Sequence, residues 1–146
     1  MACETILVVD DDMDIREIVT MYLEAENFKV VAATNGYEAV SQTNQHKPDL
    51  IILDMVMPGL DGIEVCQAIR KSHTTPILFL SSKSAAQDKT IGLIAGGDDY
   101  ISKPFDPSEL IARVKAHLRR NRILEQDVHS KEDYLKYPNL SINLKA

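Results

Sequence analysis

Leu50-Ile-Ile-Leu-Asp-Met-Val-Met-Pro58 is the stretch on which the fold turns. Four apolar residues lead into one carboxylate, Asp54, and Pro58 ends the run. A continuous apolar run of this kind predicts a strand buried on both faces, as in parallel sheets covered by helices. Asp54 then stands at the carboxyl end of that strand, where open α/β sheets place their ligand sites. A single Asp after a strand also serves as a turn or cap residue, so chemistry requires other segments to converge on it.

Outward from this stretch the pattern repeats. Thr5–Val9 is an apolar strand ending in Asp10-Asp11-Asp12, and Ile15, Ile18, Val19, Tyr22 and Leu23 follow at helical spacing. Phe28–Ala32 is a shorter strand, and residues 36–45 a helix with Ala39 and Val40 inward. After Pro58, Gly59 and Asp61-Gly62 make a turn, and Ile63, Cys66 and Ile69 give a helical stripe. Ile77–Leu80 is a fourth strand, followed by Ser81-Ser82. A helix over 84–95 ends at Gly96-Gly97, and Asp99–Ser102 is a fifth strand running into Lys103-Pro104. Asp106, Pro107 and Glu109 mark a helix start of the capping-box kind, with Leu110, Ile111, Val114 and Leu118 inward.

Strands alternating with helices over residues 5–121 predict an α/β fold, a doubly wound five-stranded parallel sheet. The first, third and fourth strands are the most uniformly apolar and belong in the centre. The second and fifth become edges, which gives the order 2-1-3-4-5, that of flavodoxin. Beyond Arg122 the sequence turns polar and loses its apolar period, so 123–137 reads as a linker between residues 1–122 and a segment at 138–146. Leu140–Leu144 alternates like a half-buried strand and reads as the start of a second, truncated domain.

The chain has 146 residues and a net charge of −6, which argues against a nucleic-acid face on this part of the protein. Cys3 and Cys66 give no disulfide framework. There is no apolar run near the roughly 20 residues of a membrane span, and no signal-peptide pattern, so no membrane partner and a cytoplasmic setting are expected.

In the 2-1-3-4-5 order the first and third strands are neighbours, so Asp10 and Asp11 stand beside Asp54. Crowded carboxylates repel, and a hard divalent cation, Mg²⁺ or Mn²⁺, relieves that repulsion. Asp12 reads as the cap of the following helix. Ser81 and Lys103 end the fourth and fifth strands on the same edge. A hydroxyl and an ammonium facing carboxylates are the groups that hold a phosphoryl group, with Asp54 as nucleophile of an aspartyl-phosphate.

Ile6-Leu-Val-Val-Asp-Asp-Asp12, Leu53-Asp-Met-Val-Met-Pro-Gly59, Ser81-Ser82 and Asp98-Asp-Tyr-Ile-Ser-Lys-Pro-Phe105 together resemble the receiver domain of two-component response regulators, over residues 5–121. The resemblance implies the flavodoxin-like receiver fold and a phosphoacceptor regulatory role; the domain would catalyse only its own phosphorylation and dephosphorylation. Asp54 would take phosphate from a sensor histidine kinase. Asp10, Asp11, Asp54 and the main-chain carbonyl of Val56 would bind Mg²⁺. Ser81 would be the switch hydroxyl, Tyr100 the switch aromatic and Lys103 the phosphate contact, with a cis Lys103-Pro104 bond. Ser81 departs from the common Thr, and Ser82, bordering the phosphate, stands where Ala or Gly is usual.

The run from Gly97 to Phe105 and the helix after it resemble the winged-helix OmpR/PhoB type. The resemblance implies a homodimer on phosphorylation, through the helix at 84–95, the fifth strand and the last helix. Its cross-subunit pairs would be Lys89 with Glu109 and Asp99 with Arg113, while Lys115 faces Ile94 where an acid is usual. DNA would be bound only through a C-terminal domain outside this chain. A stand-alone receiver acting by protein contact is the alternative. A haloacid dehalogenase-like phosphatase would need a second acid two residues after its nucleophile, and Val56 stands there. A nucleotide enzyme would need a glycine-rich phosphate loop, which the sequence lacks.

Overall fold

Thr5–Val9 (β1), Lys29–Ala33 (β2), Leu50–Asp54 (β3), Ile77–Ser81 (β4) and Asp99–Ser102 (β5) form one parallel sheet in the order β2-β1-β3-β4-β5. Four helices accompany them among the described residues: Met13–Ala25 (α1), Gly36–His46 (α2), Gly62–Arg70 (α3) and Pro107–Leu135 (α4). A computed structural model of the chain describes residues 3–81 and 96–135, with side chains as far as residue 123. The helix expected at 84–95, with Ser82, Lys89 and Ile94, and the segment at 138–146 lie outside the described residues.

The apolar strands bury because each face of the sheet has its own helical cover. Leu7, Val9, Ile51, Leu53, Ile77, Phe79 and Tyr100 pack with Ala39 of α2 and with Val65, Cys66 and Ile69 of α3. The alternate residues Ile6, Val8, Leu50, Ile52, Leu78, Leu80 and Ile101 pack with Val19 and Leu23 of α1 and with Leu110, Val114 and Leu118 of α4. Every residue of β3 and β4 is buried. That is why their sequences run apolar without alternation.

Three local expectations change. Ile18, grouped with the inward residues of α1, is 42% exposed. Val19 and Leu23 alone are buried there, and Ile15 packs at the margin. At the start of α4, the Asp106 carboxylate accepts a hydrogen bond from the Ser108 N–H, but Glu109 turns to Arg113 instead of back to the cap. The full capping box is at α3, between Asp61 and Glu64, in what the sequence suggests only as a turn. Finally, α4 does not stop at Arg122 but runs to Leu135 through most of the expected linker. The reason is local: residues 108–137 contain no glycine or proline, and the next helix-breaking signal is Pro138.

Arg70, in the last turn of α3, organises the entry to β4 and β5. Its guanidinium donates to the Gly96 carbonyl (2.9 Å), the Thr75 carbonyl (2.7 Å) and the Asp98 carboxylate (2.7 Å). Asp98 in turn accepts the Ile77 N–H at 2.8 Å. One side chain thus fixes the start of both strands.

Candidate functional site

Strand register brings the chemistry together. Val9 pairs with Leu53, so Asp10 and Asp54 leave neighbouring strands side by side. Asp54 pairs with Leu80, so Ser81 comes next along β4, and Ser81 pairs with Ser102, so Lys103 follows on β5. Four of the residues singled out in the sequence therefore end four adjacent strands on one edge. Lys103 and Pro104 are joined by a cis peptide bond.

Asp10 and Asp54 are 2% and 5% exposed, while Asp11 is open to solvent. One carboxylate oxygen from each of the three lies within 4.8 Å of the others. Three hard anionic donors at that spacing suit a small divalent cation, which would also offset their repulsion. The Lys103 ammonium reaches in from the other side, at 2.8 Å from Asp10 and 3.6 Å from Asp54. Ser81 is fully buried.

The electrostatics follow from this crowding. Burial, then the charge of Asp10, push the Asp54 pKa up to about 6, against the pull of Lys103 and the Val56 N–H. Burial alone would lower Lys103. The hydrogen bond to Asp10 and the negative charges of Asp54 and Asp10 outweigh it and hold the ammonium above its ordinary value. Near neutral pH the site therefore presents an ionised, hydrogen-bonded carboxylate beside a fixed cation. That combination suits attack on an anionic electrophile such as a phosphoryl group.

The local chain explains the placement. The Asp12 side chain accepts from Asp14 N–H and caps α1, so it is turned away from the cluster, as its sequence position suggests. The Asp12 N–H donates to the Asp10 carboxylate. After β3, the Val56 N–H donates to Asp54 at 3.2 Å, while the Val56 side chain is exposed.

Two contributors escaped the sequence reading. Arg16 donates from Nη1 to the Asp10 carbonyl at 2.7 Å, tying the first turn of α1 to the end of β1. Its only sequence signal is its place four residues after the cap. Gly62 lets α3 approach β3: a Cβ there would lie 2.4 Å from the Asp54 carbonyl oxygen and 2.7 Å from Met55 Cα. No motif marks it beyond the Asp-Gly pair.

Tyr100 is buried in the α2–α3 side of the core, and its hydroxyl has no hydrogen-bond partner among the described residues. On the outer side of β5, Arg113 bridges Asp99 (2.6 Å) and Glu109 (3.0 Å). Lys115 does not join them; its ammonium pairs with Glu26 at the end of α1.

Comparison with known proteins agrees with this fold. The family model described as response regulator receiver domain matches residues 6–115. The transcriptional regulatory protein ResD of Bacillus subtilis is 51% identical over 115 residues, covering 79% of this chain and 48% of that protein. The regulatory protein VanR of Enterococcus faecium is 43% identical over 143 residues, covering 98% and 62%. The chain thus spans about half to three fifths of such relatives. Among solved structures, a two-component response regulator from Clostridium difficile matches with a TM-score of 0.78 and 35% identity, covering 80% of this chain and 97% of that one. The BeF3-activated N-terminal receiver domain of Klebsiella pneumoniae RstA matches with a TM-score of 0.76 and 34% identity, covering 79% and 98%. No helix among the described residues is long and apolar enough to cross a membrane.

Proposed function

The chain belongs to the response regulator receiver domain family, with relatives of the OmpR/PhoB type, and from that premise we propose that Asp54 is the phosphoacceptor of a two-component signalling protein. The observation that carries the proposal is the register that lines up Asp10, Asp54, Ser81 and Lys103 on one sheet edge. In the reaction, an Asp54 oxygen attacks the phosphorus of a phosphohistidine on a sensor kinase. The P–O bond forms as the P–N bond breaks, and the imidazole nitrogen leaves with the electron pair and takes up a proton.

Asp10, Asp11, Asp54 and the Val56 carbonyl would hold Mg²⁺, or Mn²⁺ in its place, and the ion supplies positive charge for the phosphoryl oxygens. Lys103, pinned between Asp10 and Asp54, has the reach to move its charge to the incoming group. Ser81 supplies a hydroxyl from the neighbouring strand end. The new dianionic group draws these two donors towards it, and the Tyr100 ring, whose hydroxyl has no hydrogen-bond partner among the described residues, follows the rearrangement. The consequence falls on the face around β5, where Asp99, Glu109 and Arg113 lie together. That face dimerises, with Lys89 of the preceding segment meeting Glu109 and Asp99 meeting Arg113. In the whole protein, a DNA-binding domain beyond α4 acts on transcription, a reading supported by the names of the longer relatives.

Acetyl phosphate with Mg²⁺ tests the central step. One phosphoryl group should appear by intact mass in the wild type and none in Asp54→Asn. Undiminished labelling of that variant would overturn the assignment.

A further inference from the structure

His117 is absent from the motifs that carry the family resemblance, yet it makes a specific, part-buried contact. Its Nε2 lies 2.9 Å from Asp99 Oδ2, and its side chain is only 11% exposed. The other oxygen of the same carboxylate accepts from Arg113 Nη1 at 2.6 Å and from the Tyr100 N–H at 2.8 Å. Burial would raise the Asp99 pKa, but the bonds from His117, Tyr100 and Arg113 outweigh it and keep the carboxyl below its ordinary range. An ionised carboxylate only accepts, so the imidazole is fixed with its proton on Nε2.

The two side-chain arms differ in kind. Arg113 is 39% exposed, is shared with Glu109, and stands at the rim. His117 is the enclosed arm. If Arg113 turns away from its own Asp99, the carboxylate keeps the imidazole and the main-chain N–H, and stays held in place. Without His117, that change would leave a partly buried carboxylate short of donors, at a cost.

We propose that His117 is a positioning residue that holds Asp99 ready to exchange its own Arg113 for Arg113 of a second copy of this chain. The inference rests on the dimer reading given above. It adds the element that makes the exchange feasible: one fixed donor and one replaceable donor on the same carboxylate. The Tyr100 N–H on Asp99 also links this acceptor to the switch aromatic through one residue of backbone. A two-fold interface carries the arrangement twice.

The test is the dimer dissociation constant of the full chain, loaded with Mg²⁺ and beryllofluoride, by sedimentation velocity. His117→Leu and His117→Phe remove the donor and keep apolar bulk, so the failure of one to fold leaves the other. Either should weaken the dimer by about threefold to tenfold, because a carboxylate no longer held by the imidazole must be ordered at association. His117→Gln, which retains an N–H donor, should recover most of the loss. All three should take phosphoryl from acetyl phosphate at the wild-type rate, which also shows that they are folded. A wild-type dimer matched in strength by His117→Leu or His117→Phe, or a Gln variant as weak as Leu, would overturn the role of His117 alone. A wild type that stays monomeric when loaded would overturn the dimer reading itself.

Discussion

Replacing Asp54 by Asn should stabilise the metal-free protein at neutral pH, although it removes the proposed phosphoacceptor. The Asp54 pKa is pushed from an ordinary 3.8 up to about 6, first by burial and then by Asp10. The folded state thus binds the proton more tightly than the unfolded chain, so stability from this group is present below pH about 4 and is lost as pH rises through about 6. A shift of about two units at about 1.4 kcal/mol each amounts to about 3 kcal/mol at pH 7 and above. Asn keeps the shape, and its amide oxygen can still accept the Val56 N–H. For a domain of this size the gain corresponds to a rise of about 10 °C or more in Tm. The assay is urea unfolding of both proteins in EDTA at pH 5 and pH 7.5, repeated with Mg²⁺. The difference between them should shrink to about half at pH 5, where Asp54 is already mostly protonated in the folded state. Mg²⁺ should stabilise the wild type more than the variant, because Asn removes one anionic ligand. An Asn variant no more stable than wild type at pH 7.5 without metal, or the same advantage at both pH values, would refute the reasoning.

Gly62→Ala should cost at least about 1–3 kcal/mol by thermal melting and slow phosphoryl uptake, because the atoms in its way are the backbone of Asp54 and Met55. Lys103→Met leaves Asp10 and Asp54 without their shared cation. It should destabilise the metal-free protein at pH 7 by about 3 kcal/mol, a loss that Mg²⁺ partly restores, seen in paired unfolding curves. Arg70→Ala should cost about 2 kcal/mol and speed amide exchange at Ile77, whose N–H is held by the Asp98 carboxylate that Arg70 pins.

The strands were legible because burial on both faces leaves a signal that needs no context: Ile51-Ile-Leu53 and Ile77-Leu-Phe-Leu80 are apolar whichever way each side chain points. Helix faces were less legible where an apolar stripe is wider than the contact it serves. Ile18 keeps the helical spacing of Ile15 and Tyr22, yet is 42% exposed. The end of α4 was misread for a different reason. Loss of an apolar period was read as loss of helix, but a helix already nucleated by its packed first turns can propagate into a polar stretch, and Pro138 is the first breaker after Pro107.

The site divides along the same line. Asp10, Asp54, Ser81 and Lys103 were readable because strand order and strand ends alone bring them together. Arg16, Gly62 and His117 act through a single atom-to-atom approach between elements, which no residue pattern encodes. The last helix illustrates the limit. Residues 113 and 117 are four apart and share a side, where both reach Asp99. Residue 115 lies about 200° around the helix from Arg113, and Lys115 is engaged with Glu26 of α1. Resemblance groups Arg113 and Lys115 on one interface by sequence position, whereas helical geometry sets them on two edges of α4. In the proposed dimer, a second copy meeting Asp99 and Arg113 would therefore find Lys115 paired with Glu26 at the end of α1.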